Sequence, residues 1–248
     1  MAVGGLFFAV WCIYLLDRLW DIRKSRSGYP LTLRHQFAVA NPRLLLGLSI
    51  SALLAAFFLI LPEFDRTRLR SASGLGLVVI FYFLMFRFLR QSPLAKGWAQ
   101  KIPGKELAIG ICFSAGIFIA SNASLRSVAS IILFVAVTIL FSVNCLLIAE
   151  AEISIDRDFD SASFFVRNNV SSLPYSLLLA IPTIGGGILL LFGVFPISAI
   201  SLLFCSVVTL VIAFKRFRPD PLRVQPIADS ILLFPWLAVG TWFLCGQV

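Results

Sequence analysis

The chain has 248 residues, 59% of them hydrophobic and only 13% charged, with 21 Lys and Arg against 12 Asp and Glu, a net charge of +9, and a mean hydropathy of +0.95. A soluble domain carries about 25% charged residues, so a water-facing globular domain is excluded, and 24 Phe against 16 Gly and 12 Pro exclude disorder and collagen. The five cysteines, Cys12, Cys112, Cys145, Cys205 and Cys245, lie far apart in apolar stretches without ligand spacing, so they read as small hydrophobes rather than bridges or zinc ligands.

A helix crossing the hydrocarbon layer needs about 20 mainly apolar residues. Runs of about that length, bounded by charge, Pro or Gly, occur at 1–16, 44–62, 72–89, 106–122, 127–149, 173–193, 197–214 and 228–246. None shows the alternation of a membrane β-barrel strand. The predicted fold is therefore all-α: a polytopic membrane bundle of about eight transmembrane helices, forming one domain over 1–248. The longest polar stretches, 17–43 and 150–172, are too short for a soluble domain.

Lys and Arg accumulate on the cytoplasmic side of spans. Taking alternate loops, 17 of the 21 basic residues fall on one side, in 17–43, 87–105, 150–172 and 215–223, while Arg66, Arg68, Arg70 and Arg126 fall on the other. The first side is expected to be cytoplasmic, in a cell (inner) membrane. Orientation thus accounts for the net positive charge, and no nucleic-acid partner is implied. Eight spans place Met1 outside, yet the start lacks a basic n-region and a small-residue cleavage site. The expectation is that the chain begins within a longer reading frame that supplies one more helix upstream.

Of the 12 acids, only Glu63 and Asp65 lie on the external side. Asp17 and Asp21 end the first run in Tyr14-Leu15-Leu16-Asp17-Arg18-Leu19-Trp20-Asp21, a spacing that stacks two carboxylates one helical turn apart. Glu152, Asp156 and Asp160 repeat it after the fifth run. Carboxylates stacked at a membrane boundary repel one another and are costly to desolvate. Oxygen-only clusters suit Mg²⁺, which keeps one or two carboxylates and takes its other ligands from water and phosphate. The bland reading is solvated helix ends paired with Arg18, Arg23 or Arg157.

With these clusters the chain resembles the UbiA superfamily of intramembrane prenyltransferases, in which two aspartate-rich motifs, NDxxDxxxD and DxxxD, end the second and sixth of nine helices. With one helix missing upstream, the first and fifth runs take those places. Asp17 and Asp21 match the last two acids of the first motif, while Ile13 and Tyr14 stand where the family has Asn and Asp. Leu31-Thr32-Leu33-Arg34-His35-Gln36-Phe37 is similar to the basic loop that follows. Pro103-Gly104-Lys105-Glu106 through Gly116 resembles the segment before the fifth family helix. Asn144 matches the Asn often found upstream of the second motif. Cys145 replaces the adjacent Asp, and Glu152 and Asp156 stand for DxxxD, with Glu150 or Asp160 as substitutes.

The resemblance implies Mg²⁺-dependent transfer of a prenyl group from a polyprenyl diphosphate to an aromatic or lipid acceptor. Asp17, Asp21, Glu152 and Asp156, with Asp160, would hold metal. Lys105, Arg34 and Arg18 would contact phosphate, Asn144 would line the substrate site, and the ring of Tyr14 or Trp20 would face a cationic intermediate. Two other readings stand beside it: a noncatalytic isoprenoid- or lipid-binding relative, and a small transporter, which calls for midplane charges and inverted repeats. Arg34 and Lys105 also read as positive-inside anchors, Trp20 as an interfacial residue, and His35 as a solvated or phosphate-adjacent side chain. Asp229 reads as a helix-end charge. Gly185-Gly186-Gly187 predicts close helix contact rather than a phosphate loop.

Overall fold

A computed structural model describes residues 2–24, 33–89, 104–153, 164–170 and 172–214, with 224, 227–228 and 230–231. Among the described residues all regular structure is helical: α1 (Ala2–Lys24), α2 (Leu33–Ala40), α3 (Pro42–Ile60), α4 (Arg66–Leu89), α5 (Gly104–Ala120), α6 (Val128–Ala151), α7 (Phe164–Asn168), α8 (Tyr175–Leu191) and α9 (Pro196–Ala213). By length and composition α3, α6 and α9 can each cross a membrane, and Gly4–Leu16 and α8 are shorter apolar helices. The expected spans between residues 1 and 214 coincide with helices, whereas most of the last, 228–246, lies outside the described residues.

Helix ends follow capping chemistry rather than the limits of apolar runs. The first run stops at Leu16, but α1 continues to Lys24, because Asp17 to Lys24 contains no Gly or Pro to interrupt the backbone ladder. The stretch 17–43, expected as a loop, contains α2. Pro42 opens α3 at its first turn, where its missing N–H leaves no helix bond unmade. The run expected from residue 72 becomes a helix from Arg66, since Asp65 accepts from the Arg68 backbone N–H at 2.7 Å. The Arg68 guanidinium lies 3.7 Å from Asp65 and 5.6 Å from the Phe64 ring centroid. Ser127 caps α6 in the same way, accepting from the Ser130 N–H at 3.1 Å. Ser127→Ala is expected to destabilise the fold by about 1 kcal/mol, read as a lower unfolding midpoint in detergent.

Contacts group into two compact units, Met1–Phe81 with Gly116–Ala123, and Tyr82–Ala115 with Ser124–Val248. In the first, α1 and α3 pack antiparallel, with Gly4 and Gly5 against Leu59 and Ile60, and with Leu15 grouped with Leu45 and Ala38. Only the stripe Leu45, Ser49, Ala52 and Ala56 of α3 is buried, a helical repeat of mostly small residues. The Ser49 hydroxyl donates to the Leu45 carbonyl at 2.8 Å, which satisfies it without leaving its own helix.

In the second unit α8 and α9 pack on each other and on α6. Gly185 faces Ala136 and Ile132 of α6, and Gly186 faces Leu203 and the Ala199 carbonyl of α9. Adjacent glycines thus admit two different helices, the close contact expected of them. The core joins Leu140, Val143 and Leu147 of α6, Phe164 and Phe165 of α7, Tyr175 and Leu179 of α8, and Leu202 and Cys205 of α9. Buried hydroxyls in α9 bond inward, Ser206 to the Leu202 carbonyl at 2.7 Å and Thr209 to the Cys205 carbonyl at 2.6 Å. Large apolar side chains remain outside, among them Phe58, Leu77, Leu177 and Ile184. Helices apolar all round that bury one stripe suit a lipid environment.

Candidate functional site

Three helix ends meet at one end of the second unit. α5 and α6 are joined by the turn after Ala120 and run antiparallel: Gly110 lies against Thr138 and Ser142, and the rings of Phe113 and Phe141 stack with centroids 5.0 Å apart. The amino-terminal turn of α5, with Lys105 and Glu106, therefore lies towards the carboxyl-terminal turns of α6, with Glu150 and Glu152. Glu106 Oε1 accepts from the Phe164 backbone N–H at 3.3 Å. Phe164 in turn belongs to the same buried cluster as Leu146, Leu147 and Tyr175. This brings α7 and the start of α8 to the same end.

The acids there are deeply placed. Glu106 is 4% exposed and Glu150 7% exposed, whereas Glu152, at the carboxyl cap of α6, is half-buried. A carboxylate withdrawn from water requires donors or a cation beside it, and the Phe164 N–H supplies one donor to Glu106. Glu106 also stands in the first turn of α5, where the helix dipole favours negative charge. Asn144, two turns before the end of α6, is 3% exposed, and its carbonyl Oδ1 makes no hydrogen bond. A buried, unbonded acceptor costs about 1–3 kcal/mol, a cost relieved when a donor or cation reaches it.

The expected site residues divide as follows. Lys105, Asn144 and Glu152 belong to the second unit, with Lys105 half-buried in the first turn of α5. Tyr14 is 40% exposed on α1 in the first unit. Asp17, Arg18 and Asp21 fall in the last turns of α1, and Arg34 in the first turn of α2, although their side chains lie outside the described residues. The unbroken helix through Asp17 and Asp21 preserves the one-turn spacing on which the first cluster depends. Asp156 and Asp160 lie outside the described residues. Among the described residues, no three His, Cys, Asp or Glu are grouped so as to hold a metal ion. The donors at the end of the second unit are nevertheless all oxygens, the chemistry that Mg²⁺ takes.

Glu106 is not distinguished in the sequence, where it is one acid beside a lysine at the start of an apolar run; its burial and its bond to Phe164, 58 positions away, mark it. Glu106→Ala strands that amide and is expected to destabilise the second unit by about 1–3 kcal/mol, while Glu106→Gln keeps an acceptor and most of the stability. Chemical unfolding of the two variants in detergent checks this. Comparisons with known protein families, with curated proteins and with solved structures find no match.

Proposed function

We propose that the chain is an eight-span membrane protein of the UbiA type that transfers a prenyl group from a polyprenyl diphosphate to a hydrophobic acceptor, with its acidic face cytoplasmic. The observation that carries this reading is the buried oxygen-lined end of the second unit, where Glu106 and Glu150 are withdrawn from water and the Asn144 Oδ1 lacks a partner. The Asn144 Oδ1 is the group that a polar, charged ligand entering there would satisfy.

In this reading Glu152 and Asp156, with Asp160, would hold metal, as would Asp17 and Asp21. Bound Mg²⁺ would neutralise the diphosphate and make it a better leaving group. Lys105, Arg34 and Arg18 contact phosphate oxygens, where fixed cations are most effective when water is excluded. Asn144 orients the substrate, and the ring of Tyr14 stabilises positive charge on the departing prenyl group. The tail lies between helices whose exposed faces are Leu, Ile and Phe.

The test is to reconstitute the full chain in vesicles with Mg²⁺, prenyl diphosphates of several lengths and a panel of aromatic and lipid acceptors, and to detect prenylated product by mass spectrometry. A Mg²⁺-dependent product supports the reading. Saturable diphosphate binding without any product converts it to the noncatalytic relative, and absence of both removes it.

A further inference from the structure

The hairpin formed by α8 and α9 is charge-free: residues 168–214 contain no Asp, Glu, Lys, Arg or His. Its tip is equally apolar, Leu191-Phe192-Gly193-Val194-Phe195-Pro196, yet Leu191 is 87% exposed and Phe192 78% exposed. The other tight helical turns differ. Residues 61–65 include Glu63 and Asp65, and residues 121–127 include three serines, Asn122 and Arg126. Those turns are built to meet water, and the turn after α8 is not.

Several backbone groups of the tip are bonded within the hairpin itself. A chain in hydrocarbon must satisfy its polar groups internally. After α8 the Phe192 N–H donates to the Ile188 carbonyl at 3.1 Å, the Gly193 N–H to Leu190 at 3.0 Å and the Val194 N–H to Leu189 at 2.9 Å. The last two are the paired bonds of a Schellman ending, permitted by Gly193 at φ 63°. Phe195, also left-handed at φ 52°, offers its carbonyl to the Ala199 N–H at 2.8 Å. Pro196, at the first turn of α9, removes one N–H that would otherwise stay unbonded.

Length agrees with composition. α8 has 17 residues and α9 has 18, about 25 and 27 Å at 1.5 Å per residue, against a hydrocarbon layer about 30 Å thick. α9 by itself is long and apolar enough to cross, so the turn that precedes it reaches the far leaflet.

We propose that the α8–α9 tip is a lipid-embedded surface: Leu191, Phe192 and Phe195 insert among acyl chains below the headgroups of the far leaflet, and the turn does not emerge into water. This rests on the membrane part of the proposed function and is independent of the chemistry assigned to the acidic end. Apolar side chains without a polar tip sit deeper than the Trp and Tyr of an interfacial belt, so the occupant is hydrocarbon rather than headgroup.

The test uses the full chain in vesicles opened by freeze–thaw, so that both faces meet a membrane-impermeant maleimide. Phe192→Cys and Leu191→Cys are compared with Ser124→Cys in the exposed turn before α6 and with the unsubstituted chain, whose own thiols set the background. Withdrawn from water, a thiol ionises poorly and reacts slowly, so labelling at 191 and 192 should be at least about tenfold slower than at 124, and should rise when detergent replaces lipid. Labelling of either tip cysteine at the rate of Ser124→Cys overturns the proposal. Both tip positions make few contacts, and near-equal thermal stability of the variants in detergent excludes misfolding. If Ser124→Cys is also protected in lipid, the assignment of an aqueous turn fails and the proposed topology falls with it, a result distinct from failure of the tip alone.

Discussion

Asp21→Ala is expected to lower Mg²⁺-dependent diphosphate release by at least about a hundredfold, and Glu150→Ala to lower it by a smaller factor. Removing one preorganised group that stabilises developing charge costs about 10²–10³ in rate. Asp21 is the acid for which the sequence offers fewest substitutes: Ile13 and Tyr14 already occupy two positions where the resembled family has polar groups, leaving Asp17 and Asp21 to supply the first cluster. The second cluster is more redundant, since Glu150, Glu152, Asp156 and Asp160 follow within a few turns of one another in the sequence. Single substitutions there should be partly compensated and double ones should not. Initial rates at saturating Mg²⁺, with Asp21→Glu as the conservative comparison, separate loss of a ligand from loss of the fold. Equal unfolding midpoints for Asp21→Ala and the unsubstituted chain are part of the prediction.

Gly110→Ala is expected to be the most damaging single-methyl change in the second unit. A Cβ at this position would overlap the Ser142 hydroxyl and the Thr138 carbonyl. The hydroxyl could rotate away, but the carbonyl belongs to the α6 backbone and cannot, so α5 and α6 must separate. Overpacking of this kind costs about 1–3 kcal/mol. It also disturbs the stacking of Phe113 on Phe141, one turn farther along. Gly187→Ala supplies the opposite case: a methyl group there would meet nothing within 4 Å, and replacing a helix-interior glycine by alanine favours the helix by about 0.5–1 kcal/mol. The two glycines carry the same chemical change with opposite expected signs, and unfolding in detergent, read by helical circular dichroism, decides both.

How much was legible in the sequence depended on the kind of signal. The helices could be read because a run such as 127–149 is mainly apolar, and no alternative satisfies its backbone as well. The close approach at Gly185 and Gly186 was also visible, because small residues side by side in an apolar helix invite it. Helix starts were less legible: α4 begins at a cap, Asp65, several residues ahead of the apolar run, in a segment whose arginines look like loop. The stretch 17–43 reads as loop because it is polar, yet α2 forms within it, where Leu33 to Ala40 contains neither Gly nor Pro.

The candidate site was legible only along single helices. The four-residue spacing of Asp17 and Asp21 is a local pattern, and α1 keeps it by continuing unbroken past the apolar stretch. Glu106 could not be distinguished, because its significance comes from Phe164, which is distant in the chain and brought near only by the folding of α7 onto α6. Asn144 was singled out by resemblance. Its burial and unbonded oxygen add a physical reason to expect a polar ligand near the end of α6.

The most direct measurement is diphosphate release from a labelled polyprenyl diphosphate by the purified full chain in lipid vesicles, with Mg²⁺ and with the metal chelated, alongside Asp21→Ala and Asp156→Ala. Release is expected to require Mg²⁺, to fall sharply in Asp21→Ala and to fall by a smaller factor in Asp156→Ala, while the helical content of both variants is unchanged. Release that is no faster than from protein-free vesicles, or that is the same in both variants as in the unsubstituted chain, would contradict the proposed function.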